Sequence, residues 1–148
     1  LQALDARKED KVLEIGTGCA YLTALLAASA GHVTSVDIYP DFIQQAQEKL
    51  ARCQLHNVSL VTGDAIQGWS KNSPYEVIVL TGSVPVLEPC FQEQLNRGGR
   101  LFAIVGASPV MEALLITRIG EREWSRETLF ETDLPALIGA TEPVKFKF

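Results

Sequence analysis

The sequence is poor in cysteine and in positive charge. Its three cysteines, Cys19, Cys53 and Cys90, lie far apart and form neither a CxxC pair nor a metal-ligand spacing. This pattern predicts no disulfide framework and no metal site, and it favours a reduced, cytoplasmic location. Lys and Arg number 13 against 18 Asp and Glu, which gives a formal net charge of −5. Because nucleic-acid binders normally present a basic face, no nucleic-acid partner is expected.

Long hydrophobic runs are also missing. The longest stretch without formal charge, 15–36, is interrupted by three glycines and several polar residues, so it is too polar to span a bilayer. No membrane partner and no signal peptide are expected. The chain begins with Leu1 rather than Met, from which we expect that an upstream segment is missing. Without repeats or linkers, the 148 residues are interpreted as one domain.

Strand and helix patterns alternate along the first two thirds of the chain. Short apolar runs predict five strands, and amphipathic segments between them predict three helices. Asp41 is expected to cap the second helix, whose Phe42, Ile43, Ala46 and Leu50 would face inward. Gly98-Gly99 is expected to end the third. The strands are predicted at 12–15, 33–36, 58–61, 75–80 and 100–105, and the helices at 20–29, 42–52 and 85–95.

The last third of the chain no longer alternates between strand and helix patterns. Extended patterns at 113–119 and 124–130 flank the polar segment 120–123, which predicts an antiparallel hairpin. Alternation of Val144, Phe146 and Phe148 with lysines predicts a short final strand. Together these patterns indicate an α/β fold, namely a Rossmann-like doubly wound sheet that is mostly parallel and carries an antiparallel C-terminal hairpin.

Polar residues follow the first three predicted strands. Gly16 and Gly18 lie between the first strand and the first helix, where backbone N–H groups are free to meet a ligand. Asp37 ends the second strand, where an acid can bind both ribose hydroxyls. Asp64 follows the third. These strand ends meet at one edge of the sheet and predict a nucleoside pocket. Two alternatives stay open: Asp37 caps the following loop, and Asp64 is a turn residue.

The neighbouring residues select among nucleosides. A dinucleotide fingerprint needs glycine at position 21, where this chain has Tyr21. Glu14 adds negative charge that disfavours a phosphate but suits an ammonium or a sulfonium. S-adenosylmethionine (SAM) carries both groups and is the predicted cofactor. A dinucleotide and a purely structural glycine turn remain as alternatives.

Several stretches resemble the class I SAM-dependent methyltransferases and, within them, the protein-L-isoaspartate O-methyltransferase family. They are VLEIGTGCAYLTALLA (12–27), VTSVDI (33–38), NVSLVTGDA (57–65), PYEVIVLTG (74–82), LNRGGRLFAIVG (95–106) and ALLITRIGEREWSRETLF (113–130). The last two stretches are the more specific to that family. The resemblance implies that SAM is the methyl donor and that the acceptor is the free carboxylate of an L-isoaspartyl or D-aspartyl residue in a damaged protein, which starts repair through a succinimide.

The resemblance also implies a role for individual residues. The methionine end of SAM would be lined by Glu14, Gly16, Thr17, Gly18 and Cys19. Asp37 would hold the ribose, and Ile38 would pack on the adenine. The Asp64 carboxylate would accept from the adenine amino group, and the Ala65 N–H would donate to the ring. Thr81, Gly82 and Ser83 are expected after the fourth strand, near the transferred methyl.

Three departures from the family pattern bear on activity. Ala20 stands where a third glycine is usual, a position expected to serve close helix–strand packing. Thr81-Gly82-Ser83 replaces a run of alanines. The family's hydroxyl residue near the reacting carboxylate is expected in the missing upstream segment, so no catalytic residue is assigned. Methylation of another substrate, either tRNA or a small metabolite, and catalytically silent SAM binding are the alternative functions.

Overall fold

A mixed sheet dominates the computed structural model, which describes residues 1–143. Within that part of the chain the sheet has seven strands, in the order β3-β2-β1-β4-β5-β6-β7. β1 to β5 are parallel, whereas β6 pairs antiparallel with both β5 and β7. This confirms the predicted doubly wound sheet with an antiparallel C-terminal hairpin. The strands are β1 (Lys11–Ile15), β2 (His32–Asp37), β3 (Val58–Thr62), β4 (Tyr75–Val84), β5 (Leu95–Ala107), β6 (Val110–Gly120) and β7 (Glu123–Thr132).

Three helices accompany the described strands: α1 (Tyr21–Ser29), α2 (Pro40–Arg52) and α3 (Pro89–Glu93). The centre of the sheet is buried on both faces, which explains the nearly continuous apolar runs of β1 and β4. After β1 the chain continues to β2 and β3 on one side, then returns to place β4 on the other. The strand order therefore reverses between β1 and β4, and ligands of such sheets bind at the carboxyl end of this junction.

The third helix differs from its prediction. α3 spans only Pro89–Glu93, and β5 already begins at Leu95, which pairs with Tyr75. Gly98-Gly99 lies inside β5 and does not end a helix. Gly98 has a positive φ of 80° at an irregularity in the β4–β5 register. The prediction was wrong here because a glycine pair permits a strand irregularity as readily as a helix end.

The start of the second helix also differs. α2 begins at Pro40 after the N-cap residue Tyr39, so Asp41 lies in the first turn and is not the cap. Proline is favoured at the first helical position, which accounts for the earlier start. Ala46 and Leu50 are buried as predicted, but Phe42 is 40% exposed. Its ring stands edge-on to Tyr39, with 5.6 Å between ring centroids.

Beyond β7 the chain turns back across the carboxyl edge of the sheet. We call residues 133–140 the strap. Ser83 of β4 and Ala136 of the strap form an isolated parallel bridge. The final strand predicted at Val144–Phe148 lies outside the described residues. Among residues 1–143, no helix has the length and apolar character required to cross a membrane.

Candidate active site

Two adjoining cavities open at the carboxyl edge of the sheet beside β1. The first, of about 230 Å³, is lined by five of the predicted residues, and the second, of about 440 Å³, by the others. Gly16 lines both. The structure thus brings every predicted cofactor residue to one place. The first cavity holds Gly16, Asp37, Ile38, Asp64 and Ala65, and the second holds Glu14, Gly16, Thr17, Gly18, Cys19 and Thr81.

Residues 16–20, here called the glycine loop, link β1 to α1. Gly16 has a φ of 97° and Gly18 a φ of 50°, both in the range that favours glycine. A Cβ at residue 16 would collide with the Thr81 hydroxyl, whereas a Cβ at residue 18 would meet open space. Gly16 therefore allows close packing against β4, and Gly18 faces the room left for a ligand.

Ala20 adopts a left-handed conformation, with φ of 64° and ψ of 14°, directly before α1. The expectation that glycine serves helix–strand packing here needs correction, because the demand at this position is a positive φ. Its methyl group is nevertheless buried, with 3% of the residue exposed. The buried methyl group of Ala20 thus stabilises the fold, whereas its left-handed backbone conformation destabilises it.

These opposing contributions predict that Ala20→Gly changes stability little. Relief of the left-handed strain is worth about 1–2 kcal/mol. The lost methyl burial costs about 0.8 kcal/mol, and the greater freedom of glycine in the unfolded chain costs about 0.4–1 kcal/mol. We expect a change in unfolding free energy within about 1 kcal/mol of zero. Ala20→Val, a β-branched control, should destabilise by at least about 2 kcal/mol. Urea unfolding measures the unfolding free energy of both variants. Equal changes in the two variants would contradict the backbone strain at residue 20.

Glu14 is the most deeply buried charged residue of the site. It is fully buried, and its Oε2 accepts hydrogen bonds from Thr23 Oγ1 and from Ser35 Oγ, the latter at 2.6 Å. Oε1 has no hydrogen-bond partner among the described residues, although Glu14 lines the second cavity. The pKa of Glu14 is raised to about 7, chiefly by burial and to a lesser degree by the charge of Asp37, against the lowering effect of the two hydroxyls. A buried acceptor without a partner is costly, so this oxygen is suited to a cationic ligand.

Asp37 connects the glycine loop to the end of β2. Its Oδ2 accepts from the Gly18 N–H at 3.0 Å, and its Oδ1 accepts from the Tyr39 N–H at 3.0 Å. The capping bond to Tyr39 agrees with the alternative reading of this residue. It does not exclude a ligand role, since each carboxylate oxygen has a second lone pair and the residue lines the first cavity.

Asp64 and its neighbours form the far wall of the first cavity. Asp64 is exposed, and its Oδ1 accepts from the Ile66 N–H at 3.0 Å in a turn of the kind proposed as the alternative. Ala65 is buried and Ile38 is half-buried. The cavity lining in this region is mainly apolar, with a few polar groups at its edge, as is common for sites that bind flat aromatic rings.

Thr81-Gly82-Ser83 lies inside β4, not after it, which corrects the sequence prediction. The β4–β5 register is irregular between Val79 and Ser83. The Thr81 hydroxyl lies within hydrogen-bond distance of two backbone carbonyls, Ile15 O at 2.9 Å and Gly16 O at 2.7 Å. The hydroxyl thereby fastens the glycine loop to β4. The predicted strand ended at Leu80 because the apolar run ends there. Nothing in the sequence indicates that the hydroxyl residues that follow bond to neighbouring carbonyls.

Several lining residues were not predicted. Tyr39, Phe42 and Ile66 line the first cavity together with strap residues, and Leu1, Leu4 and Leu134 line the second. An aromatic pair two and five residues after Asp37 was an available signal, because large exposed aromatics beside a polar strand end suit ring stacking. For the strap residues no local signal existed, since their position depends on contacts with β4 some fifty residues earlier.

Comparison with known proteins identifies the family. The sequence pattern of the family described as protein-L-isoaspartate(D-aspartate) O-methyltransferase matches residues 1–133. The chain belongs to this family. It is 40% identical over 126 residues to the protein-L-isoaspartate O-methyltransferase of Methanoculleus marisnigri, covering 85% of this chain and 56% of that protein. It is 34% identical over 140 residues to protein-L-isoaspartate O-methyltransferase 1 of Geotalea uraniireducens, covering 94% and 64%.

Solved structures agree with the family membership. A protein-L-isoaspartate O-methyltransferase structure superposes with a TM-score of 0.82 at 26% identity, covering 93% of this chain and 45% of that one. A Plasmodium falciparum structure described as a putative protein of the same kind in complex with S-adenosyl-L-homocysteine has a TM-score of 0.74 at 16% identity, covering 92% and 68%. These neighbours confirm the predicted class I methyltransferase fold. The chain spans about 56–64% of the length of the two sequence relatives named above.

Proposed function

We propose that this chain binds SAM and transfers its methyl group to the free carboxylate of L-isoaspartyl or D-aspartyl residues in damaged proteins. The observation that carries the proposal is a pair of buried carboxylates, Glu14 and Asp37, which line two adjoining cavities on either side of the glycine loop. A ligand with a cation at one end and a ribose at the other matches this arrangement. Family membership supports the choice of acceptor.

The residues that line the two cavities fit SAM. The unpartnered Oε1 of Glu14 would accept from the ammonium of the methionine end, where Gly16, Thr17, Gly18 and Cys19 would form the rest of the wall. Asp37 would accept from the ribose hydroxyls, using the lone pairs that Gly18 and Tyr39 leave free. The apolar first cavity would hold the adenine between Ile38 and the Asp64-Ala65 turn, and Thr81 would hold the glycine loop in place.

The chemistry places modest demands on this chain. Bound SAM supplies an electrophilic methyl group on a positively charged sulfur. A carboxylate acceptor is already a nucleophile at neutral pH, so no general base is required of the protein. The residues of the chain need to hold donor and acceptor in line and to exclude water from the reacting anion. Positioning of this kind can contribute about 7–11 kcal/mol to lowering the barrier.

A labelling assay tests the proposal. The chain is incubated with methyl-labelled SAM and a peptide that contains one L-isoaspartyl residue, and a peptide with L-aspartyl at the same position is the matched control. We expect label in the isoaspartyl peptide alone, in a base-labile ester. A titration with S-adenosylhomocysteine, with NADH as the control ligand, reports the cofactor half separately.

The other outcomes distinguish the alternatives. Label in tRNA or in a small metabolite, with none in the peptide, would replace the proposed acceptor. Saturable S-adenosylhomocysteine binding without transfer to any acceptor would indicate a silent binding protein.

We also propose that residues 1–148 form one domain that works in the cytoplasm. The single sheet of the described residues and the free thiols of Cys19, Cys53 and Cys90 support this.

A further inference from the structure

Trp69 supports one wall of the first cavity from behind. That wall is the turn of residues 63–65, here called the β3 turn, in which Gly63, Asp64 and Ala65 all line the cavity. Trp69 itself lines neither cavity. A Cβ at residue 63 would lie 3.1 Å from Trp69 Cη2 and 3.2 Å from Cζ3. The far edge of the indole therefore limits how closely the β3 turn approaches the main hydrophobic core, against which Trp69 packs.

Space, rather than backbone conformation, requires glycine at residue 63. Gly63 is not among the glycines with a positive φ, so alanine can also adopt its conformation. Carbon atoms in van der Waals contact are about 3.5–4.0 Å apart. A methyl group at residue 63 would come closer than this to the ring of Trp69 and would displace either the ring or the turn.

The backbone of Trp69 is held at both of its polar groups. Trp69 N–H donates to Gln94 Oε1 at 2.8 Å, and Trp69 O accepts from the hydroxyl of the fully buried Tyr75 at 2.8 Å. Trp69 Nε1 is buried and has no hydrogen-bond partner among residues 1–143. Since the indole N–H bonds to none of them, the side chain acts here through the size and rigidity of its ring.

The β3 turn presents to the cavity the groups that would recognise the adenine. Asp64 Oδ1 accepts from the Ile66 N–H at 3.0 Å, and the Gly63 N–H donates to Asp37 O at 2.9 Å, which sets the orientation of the turn. Hydrogen bonds from N–H groups occupy a narrow range of about 2.7–3.2 Å. A small shift of the turn would therefore weaken the bonds that Asp64 and Ala65 would make to the base.

We propose that Trp69 is a positioning residue for purine recognition, because its ring sets the distance of the β3 turn from the cofactor and thereby the preference of the site for adenine. The inference rests on the proposed function, in which Asp64 and Ala65 meet the base. Trp69 acts through Gly63 and does not contact the ligand.

Substitutions on both sides of the contact test the inference on the whole chain. Trp69→Phe keeps an aromatic ring but removes the far edge that meets Gly63, and Gly63→Ala adds a methyl group that collides with that edge. In the double variant, the new methyl group fills the space that the shorter ring leaves. Trp124→Phe is the matched control, because Trp124 is also half-buried and packs against the same core, but it bonds to Gln92 O and lines neither cavity.

Each variant is titrated with S-adenosylhomocysteine and with S-inosylhomocysteine, which carries hypoxanthine in place of adenine. The ratio of the two affinities reports purine recognition, because a general loss of stability in a chain that remains folded would not change it. For the unchanged chain we expect a preference for adenine of about tenfold, the size of one hydrogen bond to the amino group. Circular dichroism shows whether each variant is folded.

We expect Trp69→Phe and Gly63→Ala each to weaken S-adenosylhomocysteine about tenfold and to leave S-inosylhomocysteine nearly unchanged, so that the ratio falls close to one. The double variant should bind S-adenosylhomocysteine better than either single variant, since the two changes compensate each other in volume. Trp124→Phe should keep the affinity and the ratio of the unchanged chain, even where its stability falls.

Three results would overturn the inference while the proposed function stands. They are a ratio near one in the unchanged chain, an unchanged ratio in either single variant, and a loss of affinity in the double variant that equals the product of the two single losses. Should Trp69→Phe not fold, Gly63→Ala, which removes nothing from the core, decides whether the position of the turn controls the ratio. If the unchanged chain binds neither ligand, the proposed function itself fails and this inference with it.

Discussion

Asp37→Asn is expected to weaken S-adenosylhomocysteine binding by at least about 100-fold, because hydrogen bonds to a charged acceptor are worth about 1.5–3 kcal/mol each. Two such bonds to a ribose diol would be lost or weakened. The amide nitrogen of asparagine would also face one of two backbone donors, the Gly18 or the Tyr39 N–H. The variant therefore disturbs both the ligand contact and the loop that forms the cavity. Calorimetric titration measures the loss.

Asp41→Asn is the matched control for that experiment. Asp41 lies four residues further along the chain, in the first turn of α2, is exposed, and lines neither cavity. It loses the same charge, so a general electrostatic effect would weaken binding in both variants. If Asp37→Asn and the unchanged chain bound S-adenosylhomocysteine with equal affinity, Asp37 would not be part of the cofactor site. A folded baseline in circular dichroism shows that the loss is local.

The second large effect concerns pH. Burial is the main cause that raises the pKa of Glu14 from 4.5 to about 7. Between pH 4.5 and about pH 7, the folded chain therefore keeps a proton on Glu14 that the unfolded chain has already lost. The contribution of Glu14 to stability is thus highest below about pH 4.5, declines as the pH rises, and is fully lost above about pH 7. The total change is on the order of 3 kcal/mol.

Cofactor binding should have the opposite dependence on pH, because it favours the ionised form of Glu14. An ammonium beside Oε1 favours the ionised carboxylate, so binding below pH 7 releases a proton from Glu14. We expect S-adenosylhomocysteine affinity to rise by up to about tenfold per pH unit from pH 5 to 7 and to level off above that. Glu14→Gln should bind weakly at every pH and show a flat profile. Titrations across this range, in buffers of different ionisation enthalpy, measure both the slope and the proton release.

Glu48→Gln on the exposed face of α2 is the control, and its profile should follow that of the unchanged chain. A sloping profile in Glu14→Gln would assign the pH dependence to another group. A flat profile in the unchanged chain would mean that Glu14 does not meet the cation. In the unfolding experiment, Glu14→Gln should likewise lose the decline in stability between pH 5 and 7.

Local sequence features predicted the parts of the site that depend on strand ends. The glycine loop follows β1, the acid Asp37 ends β2 and the Asp64 turn follows β3, and parallel strands bring their carboxyl ends to one edge. That is why the predicted residues meet in two adjoining cavities. The site roles themselves stay predictions until the variants above are measured.

Other features depend on contacts distant in sequence and could not be predicted. The strap bonds to Ser83, some fifty residues earlier in the chain, and Thr81 meets Gly16 only once β4 extends past Leu80. The positive φ of Ala20 has no signature in a residue that is a good helix former. α3 was predicted too long because the pairing of Leu95 with Tyr75 outweighs its helical pattern.

The fastening of the glycine loop has a kinetic consequence. The chain's own groups hold this loop: Gly16 N–H bonds to Val36 O, Gly18 N–H bonds to Asp37, and the Thr81 hydroxyl meets two carbonyls. A preorganised loop spares the ligand the entropic cost of ordering it. Association should then proceed in a single step at a rate that varies little among variants of the site. The differences in affinity would be expressed almost entirely in how long the ligand resides there.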